Sequence, residues 1–339
     1  MVTPEELRYL YWLGRDFWSG AADVVEVGPW LGGSTWYLAA GMRSNPRREP
    51  GRKLHVIDNF RWRPFMAERA SLDLKPDDSF RPFFEDNLAG LQDLLSIHEA
   101  ALLDDDSAIL AESGGVRSDS ADIPPFSNAL LPGPVSIAFV DGAKSWRAIR
   151  HLLIELEPGL IPGETVLVFQ DFQAALAYWV PMAVGLMLTE CPGSLAPLHI
   201  LRANTISFRV AGRIPASVLT DAPEDIENVS REEGERLLAH VGSLLEARGE
   251  RLAAATVGLS HVAFLATMGA TDDALSAFRR VEERWPLRAS SNYQLEAVRS
   301  WLAKTTGHQL PPSRQARALG LWIRARQKAA RLIPAKAAA

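Results

Sequence analysis

The sequence predicts a doubly wound, mostly parallel α/β sheet followed by an all-α C-terminal region. Three observations carry that expectation. Short apolar runs alternate with helical periodicities as far as about residue 212, the pattern of a parallel sheet. Four of those runs end beside an acid: Glu26, Asp58, Asp141 and Asp171. Beyond residue 213 only helical spacing remains.

Taken in order, Glu5 to Trp18 carries Leu7, Leu10, Leu13 and Phe17 at helical spacing. A first strand covers about 23–27 and its helix about 34–43, joined by a glycine-rich turn. Lys53 to Asp58 forms a second strand, and helical segments lead to a third near 96–100. Residues 107–134 are rich in Ser, Gly, Pro and Asp, a long loop. Val135–Asp141 is the fourth strand, followed by a helix at about 145–157 that Pro158-Gly159 closes. Thr165–Asp171 is the fifth strand, with a helix near 173–189. Leu198–Ala203 and Thr205–Val210 flank Asn204 as a tight hairpin, which implies one antiparallel strand. Residues 232–246, 254–268 and 272–285 read as helices.

At 339 residues the chain suggests two domains, placed at 1–212 and 213–339. Its 47% hydrophobic and 23% charged content is that of an ordinary globular protein. No apolar run approaches the roughly 20 residues needed to span a bilayer, and the N-terminus lacks signal-peptide character. A cytoplasmic location is the expectation. The lone Cys191 excludes an internal disulfide or a cysteine metal cluster. Residues 1–212 hold 18 Lys and Arg against 27 Asp and Glu, whereas 213–339 hold 18 against 14. So acidic a first domain argues against a nucleic-acid substrate.

The turn Glu26-Val27-Gly28-Pro29-Trp30-Leu31-Gly32-Gly33-Ser34-Thr35 opens a helix beside a carboxylate, a ready site for a polar ligand. Trp30 stands where a dinucleotide fingerprint needs its second glycine, and Ser34 where a Walker A loop needs lysine. The remaining pattern, E-x-G-x-x-x-G-x-[ST], is met by Glu26, Gly28, Gly32 and Ser34. It resembles the first motif of class I S-adenosylmethionine-dependent methyltransferases. Asp141-Gly142-Ala143-Lys144-Ser145-Trp146 likewise resembles the D-x-x-[HK]-x-[YW] segment of small-molecule O-methyltransferases, with the D-G-x-[HK] form of the sugar-directed group.

That resemblance implies a seven-stranded, Rossmann-like methyltransferase sheet and S-adenosyl-L-methionine as cofactor. Glu26, Gly28, Gly32 and Ser34 would bind its amino-acid end and Asp58 its ribose hydroxyls; the acidic run Asp104-Asp105-Asp106 follows the third strand, where the family often contacts adenine, or is simply a solvated acidic loop. Asp141 and Lys144 would serve catalysis, with Asp141 and Asp171 as ligands for Mg²⁺ or another divalent cation. In metal-using relatives the fifth strand ends Asp-Asp or Asp-Asn, whereas this chain has Gln170-Asp171. Lys144 acts as a base only if burial or a nearby cation lowers its pKa from about 10.4; otherwise it is a surface lysine opening a helix. Asn59–Phe65 mixes aromatic and basic residues near the site, either to hold an acceptor or to pack a loop.

The implied reaction is O-methylation of a sugar-like or other small hydroxylated molecule. The alternative is a catalytically silent cofactor-fold module whose helical tail binds a partner. Gly269 to Pro286 resembles half of a tetratricopeptide repeat, but a solenoid needs about three such units and a single one reads better as an ordinary helical hairpin packed on the first domain. Arg314 to Lys336 carries seven basic residues and no acids, a solvated tail or a helix resting on an anionic membrane surface. A homo-oligomer is compatible with all of this.

Overall fold

The computed structural model describes residues 2–103, 122–201, 204–285 and 293–307. The acidic run at 104–106, most of the 107–134 loop, Pro286 and the basic tail lie outside the described residues. Among the described residues seven strands occur: β1 (Asp23–Val27), β2 (Leu54–Asp58), β3 (Leu95–Glu99), β4 (Val135–Val140), β5 (Val166–Phe169), β6 (Leu195–Ile200) and β7 (Ile206–Val210). They form one sheet in the order β3-β2-β1-β4-β5-β7-β6. All neighbouring pairs are parallel except those of β7, which runs antiparallel to both β5 and β6. This is the expected seven-stranded, mostly parallel methyltransferase sheet.

The helices are α1 (Pro4–Trp12), α2 (Gly33–Ser44), α3 (Pro64–Ala67), α4 (Arg81–Asn87), α5 (Trp146–Leu156), α6 (Trp179–Glu190), α7 (Ala216–Thr220), α8 (Arg231–Ala247), α9 (Arg251–Thr267), α10 (Thr271–Arg284) and α11 (Tyr293–Thr306). Thr3 caps α1 in a reciprocal box with Glu6, and Pro4 sits where its missing N–H costs nothing. A π-helical turn at Leu13–Phe17 follows. Within it Gly14 lies so close to α2 that an added Cβ would stand 2.6 Å from the Leu38 carbonyl oxygen.

Side chains alternate between two cores, as the pleat requires. Val25, Val27, Ala138, Val140 and Leu167 face the layer of α5 and α6. Val24, Val56, Ile137, Phe139, Val166 and Val168 face α1, α2 and the Phe60, Phe80 and Phe84 rings. On α5, Ile149, Leu152, Leu153 and Leu156 recur at helical spacing and are fully buried, each contributing roughly 1.5–3 kcal/mol of burial free energy.

Three boundaries differ from expectation. β6 begins at Leu195 rather than Leu198, and the connection to β7 is longer than a turn centred on Asn204. The helix expected from 173 begins only at Trp179, because Gln173 is drawn out of helical pairing: its N–H donates to the Asn204 carbonyl and its Nε2 to that of Leu201. Helix α11 had no counterpart in the sequence reading.

The C-terminal helices lie on the sheet's α6 side. Every residue of α6 from Trp179 to Leu188 is buried, a helix apolar all round. Its second face is covered by α8, where Gly185 approaches so closely that a Cβ would stand 2.6 Å from the Leu237 oxygen. Leu237, Leu238, Val241, Val257 and Phe264 therefore share one core with β4 and β5. Helices α9, α10 and α11 enclose a further cluster that takes in Ala175 from the β5–α6 loop.

Candidate active site

The ladder brings the strand ends level. Val27 pairs with Ile57 and Val140, and Val140 pairs with Phe169. The next residues, Gly28, Asp58, Asp141 and Gln170, therefore line one edge of the sheet. Backbone bonds from Gly28 N to Ile57 O (3.0 Å), Asp141 N to Val27 O (2.9 Å) and Gln170 N to Val140 O (3.0 Å) lock them there. The chain reverses its strand order between β1 and β4, the crevice where open α/β sheets bind ligands.

Glu26 shares the parity of Val24, is 0% exposed, and has Ser34 and Thr35 of the first turn of α2 close by. Neither of its carboxylate oxygens has a hydrogen-bond partner among the described residues, nor does the Thr35 hydroxyl. Burial pushes the Glu26 carboxyl up to about 7; the nearby Ser34 and Thr35 hydroxyls pull it down without reaching hydrogen-bond geometry, and Asp141 and Asp58 push it further up. Asp58 is also raised to about 7 by burial, against a 2.6 Å hydrogen bond that its Oδ1 accepts from Phe60 N and the charge of Arg63. Three carboxyls thus sit within electrostatic reach at the switch point.

Positive φ angles outside glycine are concentrated here. Trp30 (47°), Phe60 (52°) and Asp171 (64°) follow β1, β2 and β5 respectively. Such strain persists only where surrounding contacts enforce it, and it clusters at functional sites.

The glycines divide by role. Gly28, at φ 81°, has no room for a side chain, because a Cβ would lie 2.4 Å from the Gly142 backbone. Its smallness lets the β1 and β4 turns close on each other. Gly32, at φ 86°, caps α2 in the left-handed region beside Phe84. A Cβ on Gly33 would meet nothing within 4 Å, so the open approach to the α2 N-terminus is at Gly33. Gly33 and Thr35 stand in the motif turn and Gly142 in the segment after β4, but the sequence pattern assigns them no role; the closeness of Gly142 to Gly28 becomes meaningful once β1 and β4 are known neighbours.

The segment after β4 is pinned at both ends. Ser145 caps α5 by accepting from Ala148 N (3.1 Å), Trp146 Nε1 donates to Pro223 O (2.8 Å), and Trp179 Nε1 donates to Ala143 O (3.1 Å). Between these anchors Lys144 turns back to the cleft. Its Nζ donates to Asp141 Oδ1 (3.0 Å) and Asp171 Oδ2 (2.7 Å). Burial opposes the ammonium charge, but the attraction of both carboxylates and their hydrogen bonds outweigh it, and the Lys144 pKa is raised. A general base needs the opposite shift, so this geometry does not suit Lys144 to that role. Asp141 is pushed up to about 6, by burial first and by Asp171, against the pull of Lys144.

The same clasp bears on the expected cation. Asp141 and Asp171, its expected ligands, face an ammonium, and the residue before Asp171 is the neutral Gln170, its Oε1 buried without a partner among the described residues. No cluster of three or more His, Cys, Asp or Glu suited to a metal occurs among the described residues. The donor set as arranged does not fit a divalent ion.

Asn59–Phe65 resolves toward packing. Phe60 and Trp62 are fully buried against Phe80 and Phe84, and Arg63 is spent on Asp77 at 2.8 Å. The β5–α6 loop that carries Asp171 is tied to the C-terminal helices: Gln294 Oε1 accepts from Ala175 N (3.0 Å), and its Nε2 donates to Asn204 Oδ1 (3.2 Å).

No protein-family model and no curated protein matches the chain. Among solved structures, it is similar to the TDP-rhamnose 3'-O-methyltransferase CalS11 of calicheamicin biosynthesis at 15% identity and a TM-score of 0.41, over 61% of this chain and 78% of that one. It is similar to the O-methyltransferase NovP at 15% identity and a TM-score of 0.36, over 61% and 80%. An O-methyltransferase family protein from Burkholderia thailandensis gives 14% identity and a TM-score of 0.32, over 61% and 56%. No described helix is long and apolar enough to cross a membrane. What the sheet order and the single antiparallel strand establish is that the chain has the Rossmann-like fold of class I methyltransferases.

Proposed function

We propose that the protein is an S-adenosyl-L-methionine-dependent O-methyltransferase acting on a small, hydroxylated, sugar-like molecule. The observation that carries this reading is the buried Glu26 carboxylate, its two oxygens unpartnered among the described residues, with Asp58 and Asp141 in electrostatic reach. Glu26 and Asp58, two buried carboxyls that repel each other, suit a ligand with positive charge. Glu26, Ser34 and the α2 N-terminus at Gly32-Gly33 would hold its amino-acid end, and Asp58 its ribose. When bound, this cofactor supplies a methyl group activated by a positively charged sulfur. Asp141 accepts the proton of the acceptor hydroxyl, and Lys144 orients that carboxylate through its 3.0 Å hydrogen bond. The sugar-like acceptor rests on the resemblance of the Asp141-Gly142-Ala143-Lys144 segment.

Calorimetry on the full chain tests the reading. Adenosylmethionine and adenosylhomocysteine should each bind one per chain, and Asp58→Asn should weaken both at least about tenfold through a lost charge-assisted hydrogen bond. No detectable heat with either ligand would sink the proposal. In turnover assays against hydroxylated acceptors, Asp141→Asn should lose about 10²–10⁴-fold while keeping cofactor affinity.

A further inference from the structure

We propose that the ε-ammonium of Lys144 is a resident cation that stands in for a divalent metal between Asp141 and Asp171, so that the acceptor site works without metal. The placement of this pair in an acceptor site rests on the methyltransferase reading; the exclusion of metal does not.

Geometry comes first. One ammonium bridges both carboxylates, at 3.0 and 2.7 Å, the second of them 27 residues from the lysine in sequence. Lys144 lies three residues beyond Asp141, and its backbone is held by the Ser145 cap and the buried Trp146, so the bridge is built from a short, anchored arm. On the other side Asp171 sits in a left-handed conformation at φ 64°, a region aspartate tolerates better than most residues, and its carboxylate meets the ammonium at 2.7 Å.

Charge follows the same logic. Gln170 contributes no charge, so two carboxylates and one ammonium sum to −1. A dication entering here would have to eject the ammonium or sit within a few ångströms of it. The three side chains are 20, 25 and 38% exposed, for Asp141, Asp171 and Lys144 respectively, which places the clasp in a cleft where charges interact more strongly than in open water. Either route for the dication is therefore unfavourable.

The substitution also changes what the site can hold. A divalent ion can take two adjacent substrate oxygens at once. An ammonium has three N–H donors, two of which are used here, so one is left for a single acceptor oxygen.

Mn²⁺ titration of the full chain, read from the free-ion electron paramagnetic resonance signal, tests the inference in wild type, Lys144→Ala and Lys144→Arg, with circular dichroism confirming that each is folded. Wild type and Lys144→Arg should leave the free Mn²⁺ signal undiminished at this site. Lys144→Ala should bind one Mn²⁺ at least about tenfold more tightly than wild type, as expected when a positive charge is removed from beside the ion. Stoichiometric Mn²⁺ binding by wild type that Asp141→Asn abolishes would overturn the proposal. So would a folded Lys144→Ala that binds Mn²⁺ no better than wild type. Failure of cofactor calorimetry alongside the expected Mn²⁺ pattern would remove the methyltransferase reading and leave the lysine's role intact.

Discussion

At the scale of single residues, the informative side chain is Glu26, an acid at 0% exposure that no described group neutralises. Its ordinary pKa of 4.5 rises to about 7 in the fold, chiefly by burial. Between those values the unfolded chain releases a proton that the folded chain keeps. This group's contribution to stability is therefore complete below about pH 4.5 and lost as pH rises through 7. Glu26→Gln should consequently stabilise the ligand-free protein above pH 7, by about 1–3 kcal/mol, and flatten its stability between pH 5 and 7. Denaturant melts across that range check the prediction, and an unchanged pH profile in the variant would refute it. The same variant should bind adenosylmethionine at least about tenfold more weakly, since one charged partner is gone. A position costly to the empty protein and useful to the loaded one was legible in the sequence as an acid interrupting an apolar strand. What was not legible was that its oxygens lack partners, because that depends on every element around it.

At the scale of elements, the β1–α2 turn separates glycine's two uses. Gly28→Ala must place a Cβ 2.4 Å from Gly142 at a φ of 81°. It should destabilise the protein by at least about 2 kcal/mol in denaturant melts, through left-handed strain and the clash together. Gly33→Ala meets nothing within 4 Å and should leave stability level or slightly higher. If the α2 N-terminus receives the cofactor, Gly33→Ala should weaken adenosylhomocysteine binding with no loss of stability, a pairing that calorimetry beside the melts would detect. The motif spacing picked out this turn without showing that Gly28 packs on Gly142, since contact between them follows only from the adjacency of β1 and β4.

At the scale of the molecule, the C-terminal helices complete a core rather than trail from it. The burial of α6 from Trp179 to Leu188 depends on α8, and Gln294 reaches the loop that carries Asp171. A chain truncated after residue 212 would expose the α6 face that Leu237, Leu238 and Val241 cover. It should therefore fail to give a folded monomer, which size-exclusion chromatography and circular dichroism would reveal; a stable, monomeric 1–212 fragment would show that the helices are dispensable. The sequence carried a sign of this docking in the unbroken apolar run Val180–Leu188, too short for a membrane and without a polar face for water.

The sequence by itself determined the order and type of the strands, the antiparallel β7, the acids at the strand ends and the helical character after residue 213. These follow from local rules: apolar runs, turn residues and periodicity act over a few residues and need no knowledge of neighbours. The tertiary structure decided which glycine packs and which faces open space, that Phe60 and Trp62 belong to the core, and that Lys144 lies between two carboxylates. The last of these is the clearest case. Asp141 and Lys144 are neighbours in the chain, but Asp171 arrives from another strand, and only the β4–β5 pairing brings its charge to the ammonium. Whether a lysine gives up its proton or holds it as a fixed cation depends on the charges around it, and those are set by the fold.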